Sequence, residues 1–189
     1  CETTLVVDDF TLTERKAKAT VAQNKDELVA DGDFSKLEAG GLGFGPTWSF
    51  ANIGGTKIVG EVAEEKGGRF FRIAMNKNTT NYESAQLWQT LNLEKGVRYE
   101  VSCRLRWDSH EEGAGNPIVN LGMYHEDTNT WYGPIDQNLN KSKEWETYKF
   151  VHIPADGGKW KLYVQLNGWG NFGNQLTVSC DDFSCKPAR

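Results

Sequence analysis

The sequence has little of what a membrane span or a nucleic-acid surface requires. No stretch of its 189 residues approaches the roughly 18 consecutive apolar residues of a transmembrane helix. Acidic residues outnumber basic ones, 26 against 21, so the chain lacks the basic excess with which a general nucleic-acid binder releases counterions. An apolar content of 38% is ordinary for a globular protein, and the length suffices for one domain with a short appendage.

Cysteine is also scarce, with four residues that show no CxxC or Cys/His spacing of a metal site. Cys103 lies in an alternating run, which predicts a small core residue. Cys180 and Cys185 could bridge only if the chain between them doubled back, so no disulfide is predicted. Cys1 fits two interpretations: the lipid-bearing first residue of a processed bacterial lipoprotein, or simply the start of the segment.

Helical periodicity is nearly absent, and alternation of apolar and polar residues dominates from about residue 56 onwards. Clusters of Gly, Asn and Asp interrupt the runs at regular spacing, which is typical of an all-β sandwich. The residues predicted to face inward are Ala85, Leu87, Leu91 and Leu93, then Tyr99, Val101, Cys103 and Leu105, then Val119, Leu121 and Met123, and finally Trp160, Leu162, Val164 and Leu166.

The outward positions of these runs carry amides, arginines and aromatic rings. A sugar needs both kinds of group, because its C–H face packs on an aromatic plane while its hydroxyls require hydrogen bonds. If the four strands are neighbours in one sheet, the predicted carbohydrate-binding residues are Gln86, Trp88, Arg104, Arg106, Asn120, Tyr124, Tyr163 and Gln165.

Each aromatic or basic residue of this set has an alternative interpretation that does not involve a sugar. Trp88 could be an edge residue buried by a loop, and the two tyrosines could pack at the sheet margin. The arginines could form surface ion pairs with Glu100 or Asp108.

Tryptophan is abundant, with seven residues, more than an aliphatic core needs. Trp48, Trp131 and Trp169 lie in Gly- and Asn-rich segments that could close a groove at the edge of a sandwich. Trp169 stands between two glycines and is therefore added to the predicted binding residues. Trp145 and Trp160 are expected in the core.

The first 26 residues differ from the remainder. Residues 5–12 read as a strand and resemble residues 178–185, and a charged, Ala-rich stretch covers 13–25. The recurrence is either chance or the last strand of a preceding similar module followed by a linker. The predicted organisation is an N-terminal tail over residues 1–26 and one sandwich over 27–187.

Several segments together resemble a known family. Residues 28–35 (LVADGDFS) with Trp48, residues 68–73 (GRFFRI), 86–99 (QLWQTLNLEKGVRY), 144–148 (EWETY) and 180–183 (CDDF) are similar to ordered elements of the family 4, 9, 16 and 22 carbohydrate-binding modules. The resemblance implies a jelly-roll β-sandwich, a glycan-binding groove on the concave sheet and a structural calcium. It also implies attachment to a xylanase or glucanase, sometimes with tandem modules.

Calcium prefers hard oxygen ligands, and the residues predicted to supply them are Asp33, Ser35, Asp181 and Asp182. Ser35 stands where the family often has Glu. The opposite parity of Phe183 and Cys180 predicts a β-bulge at the Asp pair, which would turn a carboxylate sideways. The alternative is a solvated Asp-Asp turn.

An enzyme is not expected, although jelly-roll folds also host glycoside hydrolases and polysaccharide lyases. Retaining glycosidases need two carboxylates about 5–5.5 Å apart, and no strand shows same-face acidic spacing. A protein–protein adhesion sandwich would be expected to carry aliphatic outer faces instead of amides and Trp.

The expected function is non-catalytic binding of an internal stretch of a β-linked polysaccharide, which targets an attached glycoside hydrolase outside a bacterial cell. Xylan is the first expectation and mixed-linkage β-glucan the second, and the arginines also admit a uronate or an anionic algal polymer. A glycan-binding surface lipoprotein is the alternative.

Overall fold

A computed structural model of the chain describes residues 26–38, 40, 46–53, 58–75, 84–111, 118–135, 142–167 and 175–188. These residues form strands and turns. The strands are β1 (Ser49–Ile53), β2 (Ile58–Glu65), β3 (Gly68–Met75), β4 (Ser84–Leu93), β5 (Tyr99–Glu111), β6 (Ile118–His125), β7 (Thr130–Ile135), β8 (Glu146–His152), β9 (Gly158–Asn167) and β10 (Gln175–Pro187). No helix in the described ranges is long and apolar enough to cross a membrane.

The strands form two antiparallel sheets of five. The first sheet has the order β1-β4-β9-β6-β7, and the second has the order β2-β3-β10-β5-β8. Apart from the pairs β2–β3 and β6–β7, each strand is followed by one in the other sheet. The two amphipathic sheets bury their apolar faces against each other. The predicted all-β jelly-roll sandwich of two antiparallel sheets is confirmed.

The core lies between the sheets and follows the period-2 pattern of the sequence. All residues predicted to face inward are buried, including Leu87 on β4, Cys103 on β5 and Leu162 on β9, each fully shielded from solvent. Cys103, Cys180 and Cys185 are buried free thiols, and Cys103 is a core residue as predicted. Burial of such side chains is the dominant stabilising contribution, roughly 1.5–3 kcal/mol for each large one.

The expectation that the four strands are neighbours in one sheet is wrong for β5. Strands β4, β9 and β6 are adjacent in the first sheet, whereas β5 lies in the second sheet between β10 and β8. Alternation fixes which residues of a strand face outward, but both sheets of a sandwich have an outer face. The sequence pattern therefore could not tell the two outer faces apart.

The segment before β1 forms turns against the last strand. The backbone NH of Leu28 donates to the carbonyl of Cys185, and the NH of Phe183 donates to that of Gly32. Trp48, predicted to line a groove, is instead 2% exposed, and its indole NH donates to the Asp31 carbonyl at 3.0 Å. Its flat ring fills the end of the core, so the groove prediction for Trp48 is wrong.

The predicted bulge in β10 is confirmed. The register of β10 against β5 shifts between Asp181 and Ser184, and Asp182 has a left-handed backbone, with φ of 50°. The bulge explains why Cys180, Phe183 and Cys185 are all buried despite their mixed parity. The tail and linker predicted for residues 1–26 lie, apart from Asp26, outside the described residues, as does Cys1.

Candidate functional site

The outer face of the first sheet carries side chains in rows that cross β4, β9 and β6. One row contains three amides, because Gln86 pairs with Gln165 and Gln165 with Asn120. All three are partly exposed. Partner residues in register point to the same side of a sheet, so six of the predicted residues share one face: Gln86, Trp88, Asn120, Tyr124, Tyr163 and Gln165.

The next row is aromatic. Trp88 pairs with Tyr163, and Tyr163 pairs with Gly122. Strand β9 is the central strand of the sheet, so neither Trp88 nor Tyr163 is a margin residue. Trp88 is partly exposed, and Tyr163 is 3% exposed.

Glycine at position 122 makes room for the buried tyrosine. A Cβ at Gly122 would overlap the carbonyl oxygen of Tyr132 and lie 2.9 Å from the Tyr163 hydroxyl. That hydroxyl also lies 3.2 Å from the position of a Cβ at Gly133. Burial raises the pKa of Tyr163 to about 12, so the hydroxyl stays protonated near neutral pH and remains a donor.

Trp131 lies in the row that follows, with Thr90, Lys161 and Tyr124, and the sequence did not single it out as a strand residue. It pairs with Tyr124 across β6 and β7, with ring centres 4.1 Å apart and planes tilted by 33°. Its ring also meets the Tyr163 ring edge-on at 5.5 Å. Trp131 is 52% exposed. The turn residues Asp127 to Asn129 before it are the signal that β6 and β7 form a hairpin.

Lys161 lies between the aromatic side chains of the same face. Its Nζ is 4.7 Å from the centre of the Trp88 ring and 5.9 Å from that of Tyr124. The same ammonium forms an ion pair with Glu126, which lies in the turn after β6. The sequence reading placed Lys161 outward but gave it no role.

The two arginines do not belong to this face. Arg104 contacts Asp182 at 3.0 Å, and Arg106 binds Glu65 at 2.8 Å and Asp108 at 2.6 Å on the outer face of the second sheet. Their guanidinium carbons lie 5.1 and 4.7 Å from the centre of the Trp145 ring.

This arrangement corrects two expectations. Arg104 and Arg106 do not lie with the amides and rings of the first sheet, because β5 is in the other sheet. Arg106 forms the expected alternative ion pair with Asp108, whereas Arg104 pairs with Asp182. Trp145 is only partly buried and covers these arginines instead of joining the core. Trp160 is in the core, at 2% exposure. Trp169 lies outside the described residues.

The four residues predicted to bind calcium are near one another in the fold, but oxygens of Asp33, Ser35 and Asp182 have other partners. Asp33 accepts from the NH of Ser35, and the Ser35 carbonyl accepts from Arg69 at 3.1 Å. Asp182 is paired with Arg104. In the ranges that the structure describes, no group of three or more His, Cys, Asp or Glu side chains could hold a metal ion.

Asp31, which the sequence reading passed over, fits a cation better. It is 5% exposed, and its Oδ1 accepts from Ser35 Oγ and Lys36 NH. Its Oδ2 is buried without a hydrogen-bond partner. Burial raises the pKa of this carboxyl group. Asp181, 1% exposed, lies in the bulge whose Phe183 contacts Gly32.

Comparison with known proteins agrees with this architecture. A family model described as a carbohydrate binding domain matches residues 26–175. Comparison with curated protein sequences gives no match. The arabinose-bound MgGH51 α-L-arabinofuranosidase is similar in structure, with a TM-score of 0.63 and 11% identity over 86% of this chain and 26% of that chain, so the chain spans about a quarter of that enzyme.

Two isolated modules are similar over nearly their whole length. TmCBM61 in complex with β-1,4-galactotriose gives a TM-score of 0.58 at 17% identity, covering 86% of this chain and 99% of that chain. The CBM22-1 xylan-binding domain of Paenibacillus barcinonensis Xyn10C gives a TM-score of 0.52 at 12% identity, covering 89% and 99%. At these identities the likeness concerns the fold.

Proposed function

Because the chain belongs to the carbohydrate binding domain family whose model spans residues 26–175, we propose that the outer face of its first sheet binds an internal stretch of a β-linked polysaccharide without cleaving it. The face is defined by the amide row Gln86–Gln165–Asn120 and the aromatic row beside it. We call this surface the glycan face.

The observation that carries the proposal is the juxtaposition of the two rows. Neighbouring strands are about 4.8 Å apart, so a row across three strands spans roughly 10 Å. Amides both donate and accept, as sugar hydroxyls require, while Trp131 presents an exposed ring next to Tyr124. A polysaccharide lying across the strands would contact the amide row with its hydroxyls and the rings of Trp88 and Trp131 with its C–H faces.

Xylan is the proposed ligand, and mixed-linkage β-glucan is the alternative. The structurally similar domain from Paenibacillus barcinonensis is named as xylan-binding, and TmCBM61 holds a β-1,4-linked galactotriose. Xylan and the β-1,4-linked galactotriose both have a linear β-linked backbone, which could run along a row of amides.

Absence of catalysis is part of the proposal. Among the described residues of β4, β9 and β6, no outward side chain is a carboxylate, and Glu126 in the adjoining turn is paired with Lys161. Glycoside hydrolysis by the usual route needs two carboxylates across the scissile bond. The module would instead deliver an attached glycoside hydrolase to insoluble polysaccharide, in a secreted or cell-surface setting.

A structural calcium completes the proposal. Asp31 would hold the ion through its buried Oδ2, with Asp181 as the second candidate, in place of the predicted Asp33, Ser35 and Asp182. Bound there, calcium would neutralise buried carboxylate charge and join the segment before β1 to the bulge of β10. It would take no part in sugar binding, since Asp31 accepts hydrogen bonds from Ser35 and Lys36, which are not residues of the glycan face.

A glycan panel on affinity gels tests the function. We expect retention in gels that contain xylan or mixed-linkage β-glucan, no release of reducing sugar, and loss of retention in Trp88→Ala. Trp145→Ala, which removes an indole from the opposite outer face, is the matched control and should bind as the unmodified chain does. A folded Trp88→Ala that still binds, together with a Trp145→Ala that does not, would move the site to the second sheet.

A further inference from the structure

The charges of the glycan face all have one sign on its three central strands. Among the described outward residues of β4, β9 and β6, the charged ones are Lys159 and Lys161. The chain as a whole has a net charge of −5. A basic surface on an acidic protein attracts anions locally and repels them elsewhere, so the position of these two lysines on this face calls for a ligand-based explanation.

Lys161 is held where a bound sugar would lie. Its side chain is 17% exposed, and its ammonium group stands over the Trp88 and Tyr124 rings at 4.7 and 5.9 Å. The ammonium itself therefore contacts the aromatic side chains, a cation–π arrangement. Lys159, on the same face, is exposed.

The ammonium of Lys161 is already engaged by a carboxylate. Its partner Glu126 comes from the turn between β6 and β7, and the Glu126 side chain is 52% exposed. Because half of the Glu126 side chain is exposed, solvent screens its attraction to Lys161. Another anion that arrives with a bound glycan can therefore replace the Glu126 carboxylate at small cost.

We propose that Lys161 is a specificity-determining residue that binds an acidic substituent, a uronate carboxylate or a sulfate ester, on a polysaccharide whose backbone lies on the glycan face. This inference rests on the proposed function. Lys161 supplies a charge-assisted hydrogen bond to the substituent, Trp88 and Tyr124 position the ammonium, and Glu126 occupies the position when no acidic ligand is bound.

The test uses pairs of polysaccharides that share a backbone and carry either a charged or a neutral substituent. Titration calorimetry compares glucuronoxylan with neutral arabinoxylan, and carboxymethyl cellulose with hydroxyethyl cellulose, for the full chain. A sulfated xylan separates the sulfate from the carboxylate. We expect the acidic member to bind about tenfold more tightly than the neutral one, as a hydrogen bond to a charged group predicts, and this preference to shrink as salt is raised.

Variants assign the preference to Lys161. Lys161→Met keeps the length of the stem and removes the charge, so affinity for the acidic ligands should fall to about that for the neutral ones. Glu126→Gln should strengthen binding of the acidic ligands alone, because the ammonium is then free. Lys149→Met, an exposed lysine on β8 of the second sheet, is the matched control and should change nothing.

The possible failures are distinguishable. Equal binding of the acidic and neutral members would overturn the role of Lys161 and leave the glycan face intact. Equal loss of both ligands in Lys161→Met would show that Lys161 only supports the Trp88 ring. If none of these polysaccharides is bound, the proposed function and this inference fail together.

Discussion

The rings of Tyr124 and Trp131 lie 4.1 Å apart, with an angle of 33° between their planes. The pair joins β6 to the edge strand β7 on the glycan face, and it leaves half of Trp131 exposed. A Tyr ring behind an exposed indole fixes its orientation at little entropic cost, because aromatic side chains have only two rotatable bonds. The pair is therefore a preorganised stacking platform.

Trp131→Ala should lose binding and keep the fold. Stacking on an aromatic ring contributes roughly 1–3 kcal/mol by analogy with bases on aromatic platforms, which corresponds to a loss of about one to two decades in affinity. Titration with xylan or β-glucan oligosaccharides measures the loss, and thermal unfolding measures the fold. Trp131→Tyr, which retains a ring, should recover part of the affinity. Unchanged affinity in Trp131→Ala would place the ligand away from β7.

Gly122→Ala should disturb β7 and, through it, the platform. The new Cβ would overlap the Tyr132 carbonyl and lie 2.9 Å from the Cα of Gly133. Backbone atoms cannot move aside as a flexible side chain can, so overpacking of this kind costs about 1–3 kcal/mol. We expect a lower melting temperature together with weaker binding. Thr90→Ala, at an exposed position of β4 on the same face, is the control, and equal stability of the two variants would contradict the close contact.

Much of the core could be predicted from the sequence because burial on a strand has a strict period of two. Leu87, Leu121 and Leu162 alternate with polar neighbours and are buried as expected. The bulge in β10 was also readable, because a bulge is the simple way to bury both Cys180 and Phe183.

The choice of sheet for Arg104 and Arg106 could not be predicted. The residue pattern of a strand does not determine which strands lie beside it. The partner is also distant in sequence, since the ion pair of Arg104 with Asp182 joins residues 78 positions apart. Trp48 is buried against expectation for a related reason: local Gly-rich composition does not reveal whether a ring packs in the core on Phe34, as Trp48 does, or lies exposed at a groove.

Acidification should destabilise the edge where the two sheets meet. His152 is 3% exposed, packs against Tyr132 and Trp160 with ring centres 5.0 and 4.5 Å away, and has a buried Nε2 without a hydrogen-bond partner. Burial lowers the pKa of His152 to about 4 from 6.5. The folded state therefore favours neutral imidazole, and the unfolded state takes up the proton first.

The free energy of unfolding therefore decreases as the pH falls. The stability contribution of neutral His152 is fully present above pH 6.5 and is lost as the pH falls toward 4, with at most about 2.5 kcal/mol lost by pH 4.5. Urea unfolding between pH 7.5 and 4.5 measures it. His152→Phe removes the titrating group from the same pocket and should flatten the dependence between pH 6.5 and 5. An unchanged slope in that variant would assign the effect to other residues.

Calcium removal should lower the melting temperature and leave sugar affinity intact. A ligand bound only by the folded state at one hundred times its dissociation constant adds about 2.7 kcal/mol, and for a chain of this size each kilocalorie corresponds to about 2–4 °C. A chelator should therefore lower the transition by roughly 5–10 °C.

Two isosteric variants locate the calcium ion. Asp31→Asn should abolish the response to chelator, because Oδ2 of Asp31 is buried without a donor. Asp33→Asn should keep it, because Asp33 already accepts from the NH of Ser35. Loss of the response in Asp33→Asn alone would restore the ligand set expected from the sequence. No response to chelator in the unmodified chain would mean that the raised pKa of Asp31 reflects a carboxyl group buried in its neutral form, with no metal beside it.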